Sequence, residues 1–130
     1  MFSDDMALDL AGLPTLDSAA AAELWPVPGA SDHKYTRGVL GIIAGCEAYP
    51  GAAVLSCVAA VESGAGMVRY VGSETPTNLV LRATPEVVPG AGQVQAWVLG
   101  PGIDPADRTK AGRAQMSALD EALLSNTLCG

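Results

Sequence analysis

The chain has 130 residues, of which 49% are hydrophobic and 16% charged, with a formal net charge of −7. That length suits one domain, and so apolar a composition excludes an intrinsically disordered chain. The acidic balance disfavours unaided binding to nucleic-acid phosphates or anionic bilayers, so neither a nucleic acid nor a membrane is expected as a partner.

Residues 1–32 read differently from the rest. Asp17 to Leu24 is an alanine-rich stretch predicted as a short helix, with Thr15 or Asp17 as its N-cap. Pro26, Pro28 and Gly29 end it, and the whole segment reads as an arm or linker. Met1-Phe2-Ser3-Asp4-Asp5 carries acids where a signal peptide carries basic residues. The longest apolar run, Ala52 to Val61, is too short to cross a bilayer. A cytoplasmic location is expected.

Asp32 to Gly38 is polar and holds the single histidine, His33. It reads as a solvated loop whose Lys34 and Arg37 flank the sheet. Val39 to Ala44 is a short apolar, β-branched run, predicted as a strand buried on both faces. Gly45 to Pro50 breaks that pattern, and Gly51 to Glu62 has the length and alanine content of a helix. Gly64-Ala65-Gly66 ends it, and Met67 to Val71 begins a second strand. Strand, loop, helix, strand is a βαβ unit and implies a parallel sheet. Ligands of such sheets sit beyond the carboxyl ends of the strands, so the Gly45 to Ala52 loop is the first place to look for chemistry.

Farther along, Pro76 to Arg82 is predicted as a helix with Thr75 as N-cap. Thr84 to Val88 reads as extended, and Pro89 to Gly92 as a loop. Gln95 to Leu99 is a further strand, ending in Gly100-Pro101-Gly102, where a ligand or another backbone can approach closely. Asp104-Pro105 and Asp107 open a last helix, about Ala106 to Leu124. So few strands before the last residue suggest a truncated α/β fold.

Cys46, Cys57 and Cys129 are odd in number and lack C-x-x-C spacing, which points to a reducing compartment and away from disulfides or structural zinc. Cys57 reads as a small core residue, and Cys46 as a loop thiol without a nearby histidine. The Gly45 to Ala52 loop lacks both the Gly-Lys-Ser/Thr of a P-loop and the spacing of a dinucleotide fingerprint. No nucleophile–base pair stands out. Glu62 and Glu86 are bases only in isolation. No catalytic residue and no metal site are assigned.

Five segments, in order, resemble one family. They are His33-Lys34-Tyr35-Thr36-Arg37-Gly38-Val39-Leu40; Ile43-Ala44-Gly45 with Tyr49-Pro50-Gly51-Ala52-Ala53; Glu62-Ser63-Gly64-Ala65-Gly66-Met67-Val68; Pro85-Glu86-Val87; and Leu99-Gly100-Pro101-Gly102-Ile103. Together they are similar to the ADP/ATP-dependent NAD(P)H-hydrate dehydratases, a branch of the ribokinase-like fold. The resemblance implies a three-layer α/β fold with a mainly parallel sheet, of which residues 33–130 would be the N-terminal half. It implies dehydration of (6S)-NAD(P)H hydrate to NAD(P)H, driven by ADP or ATP with Mg2+. The family's hydrate-binding positions fall on Ala52 and Gly102, with Tyr49, Gly51 and Gly100 shaping the same loops. The family's His-Pro-Gly-Glu element, its Gly-Asp pair and the catalytic aspartate do not occur in these 130 residues. On this reading the chain alone is inactive, residues 1–32 link to an upstream epimerase domain, and an uncovered sheet edge predicts a homo-oligomer. The alternatives are a ribokinase-like small-molecule kinase and a non-catalytic binding or oligomerisation module.

Overall fold

The computed structural model describes residues 12–25, 27, 29–31 and 37–125. The His33 to Thr36 part of the first matching segment, Cys129 and the loop after Ser125 lie outside the described residues.

The first element, α1 (Ser18–Leu24), is capped by Asp17, whose Oδ1 accepts from the Ala20 N–H at 2.8 Å. It buries no residue. The body begins with β1 (Val39–Ile43), in which every residue but Leu40 is buried. The chain then forms α2 (Gly51–Glu62), β2 (Met67–Tyr70), α3 (Glu74–Ala83), β3 (Val88–Pro89), β4 (Ala96–Leu99) and α4 (Lys110–Leu124). The four strands make one sheet in the order β3-β2-β1-β4. All three pairings are parallel: Leu40 lies opposite Val68 on one side and Ala96 on the other, and Arg69 lies opposite Val88.

Side chains alternate across the sheet. Ile42, Val68 and Tyr70 face α2 and α3 and form a buried core with Ala53, Cys57, Ala60, Val80 and Val87. The buried α2 positions, Ala53, Cys57 and Ala60, recur at helical spacing, and their small side chains bring the helix close to the sheet. Burial pushes the Cys57 thiol up to about 11, so it stays protonated and acts as a small apolar group. On the other face Gly41 and Ile43 meet Trp97 and α4. A Cβ on Gly41 would collide with the Trp97 ring, so the ring packs against the bare strand. The result is the three-layer arrangement expected from the sequence.

Two helices start elsewhere than the sequence suggests. Helix α3 begins at Glu74 with Ser73 as N-cap, not at Pro76 behind Thr75. Proline is tolerated in the first turn because its missing N–H is one the helix cannot use. Ser73 makes no side-chain cap bond. Glu47, from the β1–α2 loop, accepts from the Thr75 N–H at 3.4 Å instead. Hydrogen bonds from the Thr75 and Ser73 side chains hold its carboxyl below the usual range, so this tie is present at neutral pH and weakens as pH falls through that lowered value.

Helix α4 begins at Lys110, four residues after the predicted start. Asp104 Oδ1 accepts from the Ala106 N–H at 2.9 Å and Asp107 Oδ1 from the Thr109 N–H at 2.8 Å. Two aspartate turns thus compete with the helix for those amides. Thr109 is the true N-cap, its Oγ1 accepting from the Gly112 N–H at 3.1 Å. Thr109→Ala is expected to cost about 1 kcal/mol, read as a lower urea midpoint with an unchanged m-value. An unmoved midpoint would show that the cap bond carries nothing.

The extended piece at Thr84 to Val88 is a turn followed by a two-residue strand. Thr84, buried, donates from Oγ1 to Glu86 Oε2 at 2.9 Å. Glu86 is also held low by its own backbone N–H, so it closes the turn and does not stand free as a base. Among the described residues no helix is long and apolar enough to cross a membrane.

Candidate functional site

The chain lays down β1, β2 and β3 in one direction, then crosses back to set β4 on the far side of β1. The carboxyl ends of β1 and β4 therefore flank the point where strand order reverses, the crevice where open parallel sheets bind ligands. The two glycine-bearing loops of the sequence reading meet there. The Gly100 N–H donates to the Ile43 carbonyl at 3.1 Å, and the Gly45 N–H to the Pro101 carbonyl at 2.6 Å. The loops are thus stitched directly to each other.

Gly102, at φ +69°, lies against the start of α2. A Cβ there would fall 2.5 Å from Ala52 Cβ, 3.2 Å from Gly45 Cα and 3.3 Å from the Tyr49 carbonyl oxygen. Ala52, Tyr49 and Gly102 therefore form one contact. Gly51 is exposed, with open space where a Cβ would go, and the Tyr49 side chain is 63% exposed. Gly100 holds its loop by its N–H and contributes no packing surface. All five residues singled out from the sequence thus lie at one end of the sheet.

The start of α2 gives fewer free donors than a helix N-terminus usually does. Pro50 enters in helical conformation without a side-chain cap. The Ala52 N–H turns back on the Tyr49 carbonyl at 3.4 Å and the Ala53 N–H on the Pro50 carbonyl at 3.1 Å. Cys46, in the same loop, is buried and closed to reagents. No group of three or more His, Cys, Asp or Glu side chains suited to a metal ion occurs among the described residues.

The sequence model of the NAD(P)H-hydrate dehydratases matches residues 40–128, which takes in both loops. The chain belongs to the NAD(P)H-hydrate dehydratase family. A Mycobacterium tuberculosis bifunctional NAD(P)H-hydrate repair enzyme, Nnr, is 50% identical over 106 residues, which cover 76% of this chain and 22% of that protein. A Bacillus subtilis ADP/ATP-dependent NAD(P)H-hydrate dehydratase, co-crystallized with ATP/Mg2+, superposes with a TM-score of 0.65 at 23% identity, covering 86% of this chain and 44% of that one. A ribokinase-like superfamily protein from Enterococcus faecalis gives 0.62 at 20% identity, over 78% of this chain and 38% of that one. The fold is thus ribokinase-like, and this dehydratase-family chain spans about a fifth of the length of the curated relatives it matches.

Two residues that support the dehydratase-family loops escaped the sequence reading. The Tyr70 hydroxyl, buried at the end of β2, donates to the Ala44 carbonyl at 2.8 Å. The Gln115 side-chain amide reaches from α4 and donates to the Gly45 carbonyl at 2.5 Å. A lone aromatic at a strand end and a glutamine within a helix carry no motif. Only the crossing of α4 over β1 brings Gln115 to a glycine 70 positions away.

Proposed function

We propose that this chain takes part in NAD(P)H repair. Water leaves the ring of (6S)-NAD(P)H hydrate and NAD(P)H is restored, with ADP or ATP hydrolysed in the same cycle. Tyr49, Gly51, Ala52, Gly100 and Gly102 form part of the hydrate site. The observation that carries this reading is the Ala52–Gly102 contact at the strand-reversal point. There the Ala52 methyl and Gly102 pack closely together, next to Gly51, where the space is open.

The open space at Gly51 and Gly100 supports a ligand lying against the backbone of these two loops. They do not supply a nucleotide phosphate cradle, since the sequence lacks both a P-loop and the His-Pro-Gly-Glu element. We assign the anion hole, Mg2+ and the catalytic aspartate to segments of the longer enzyme outside these 130 residues. Residues 1–32 serve as the arm of the dehydratase domain, adjoining an epimerase domain as in a bifunctional repair enzyme, and the protein works in the cytoplasm.

The test supplies NAD(P)H hydrate with ADP and follows the return of dihydronicotinamide absorbance. The 130-residue chain is expected to be silent, and a version extended to full domain length active. An inactive extended protein would overturn the reading. Within that extended protein, Ala52→Leu is expected to raise KM for the hydrate roughly tenfold or more, with an unchanged circular dichroism spectrum. Branched carbons pressed into a close-packed site cost about 1–3 kcal/mol. An unchanged KM would remove Ala52 from the site.

A further inference from the structure

Gly45 follows β1 and opens the loop that leads into α2. It is buried, at φ +71°, and a Cβ there would fall 2.8 Å from Ala53 Cβ. A glycine meets both demands, and it leaves the peptides on either side of it free to turn. The fold removes that freedom from each peptide in a different way.

The peptide before Gly45 is held at both ends. Its carbonyl, on Ala44, accepts from the Tyr70 hydroxyl at 2.8 Å. Its N–H, on Gly45, donates to the Pro101 carbonyl at 2.6 Å. The peptide after Gly45 is held from α4. The Gln115 side-chain Nε2 donates to the Gly45 carbonyl at 2.5 Å. A carbonyl only accepts, so the amide nitrogen is the end that faces it. Gln115 is half-buried, in the second turn of α4.

The orientation fixed there passes along the loop. The Cys46 carbonyl accepts from the Tyr49 N–H at 3.1 Å, and the Tyr49 carbonyl from the Ala52 N–H at 3.4 Å. Gly102 presses on the same glycine, since a Cβ on it would fall 3.2 Å from Gly45 Cα. The segment from Gly100 to Gln115 therefore grips Gly45 twice, once by its loop and once by its helix.

We propose that Gln115 is a positioning residue for the hydrate site. Its bond to the Gly45 carbonyl selects, among the orientations glycine allows, the one that sets Gly51 and Ala52 for the ligand. The proposal rests on the reading of Ala52 and Gly102 as hydrate contacts. Gln115 acts through the loop and needs no contact with the hydrate. Without the donor, the buried Gly45 carbonyl is left unpaired and its peptide turns to find another partner. A loop that keeps the binding orientation for about a tenth of the time weakens apparent affinity about tenfold.

Steady-state kinetics on the protein extended to full domain length test this. Gln115→Met keeps the length and helix propensity of the side chain but has no donor. Gln115→Glu keeps its shape and, near neutral pH, only accepts. Both are expected to raise KM for NAD(P)H hydrate roughly five- to tenfold, with kcat changed less than about twofold. Gln115→Lys restores a donor on a chain of similar length and is expected to recover most of the loss. A role in packing alone would give the opposite order, with the isosteric Glu mildest and Lys worst. Amide hydrogen exchange across residues 46–52 should be faster in Gln115→Met, and unchanged exchange overturns the proposal. So does a parental KM in the Met and Glu variants, or a rise that Lys shares with Glu. Ala52→Leu separates the two ways of failing. A raised KM there, with Gln115→Met unmoved, removes the role of Gln115 alone. A KM unmoved in both removes the hydrate-site reading and this proposal with it, as does an inactive extended protein.

Discussion

Gly102→Val is expected to lower the stability of the chain by roughly 2–6 kcal/mol and to remove dehydratase activity from an extended protein. Two separate penalties add. The residue sits at φ +69°, where a β-branched side chain is strained by about 1–3 kcal/mol. Its Cβ would also lie 2.5 Å from Ala52 Cβ and 3.2 Å from the Gly45 backbone, an overpacking that costs about 1–3 kcal/mol more. Urea denaturation reads the sum. A milder pair separates the parts: Gly102→Ala carries both penalties in reduced form, and adding Ala52→Gly should recover the steric part alone. Coupling between the two sites in a double-mutant cycle would establish the contact. Simple additivity, or an unmoved midpoint in Gly102→Val, would show that the loops do not pack as described.

Tyr70→Ala should be nearly as damaging, at about 3–5 kcal/mol, because an aromatic ring only 1% exposed is lost from the centre of the core. Tyr70→Phe keeps the ring and strands the Ala44 carbonyl without its donor. That change alone is expected to cost about 1–3 kcal/mol in the same urea experiment. Equal midpoints for Tyr70→Phe and the parent would show that the hydroxyl carries no load. Burial, with smaller contributions from Cys57, Cys46 and Glu47, pushes the phenol well above its ordinary range. Its folded value is raised, so its contribution is complete below the ordinary phenol range and is lost as pH climbs above it. Near neutrality the Tyr70 bond to β1 is therefore insensitive to pH.

The parts of the fold legible in the sequence are those bounded by glycine and proline. Helix α2 spans Gly51 to Glu62 as read, because Pro50 and Gly64 bracket an unbroken alanine-rich run. Strand β1 stands out as the continuous apolar stretch of a parallel strand buried on both faces, and β2, which includes Arg69, because Gly66 and Gly72 bound it. The helix starts at Ser73 and Thr109 were hidden, since side chains decide them. Glu47 reaches α3 from another loop, and Asp104 and Asp107 draw off amides that local propensity assigns to α4. The two-residue β3 was equally hidden, being defined by its pairing with Arg69 and Tyr70 and not by its own composition. Of the candidate site, the individual residues were legible only through the ordered resemblance of several segments. Spacing could not reveal that Ala52 and Gly102, fifty positions apart, touch, because the chain must first turn back past β1.

The two borders of the sheet are unlike. At one, β3 lasts for Val88 and Pro89 only, and the proline has no N–H to offer a neighbour. At the other, β4 presents Ala96 to Leu99, four residues without a charge, bonded among the described strands to β1 alone. The β4 border is therefore the better template for a further strand and the β3 border the poorer one. A strand added beside β4 would lie next to Gly100 and Gly102, at the crevice and not on the far rim.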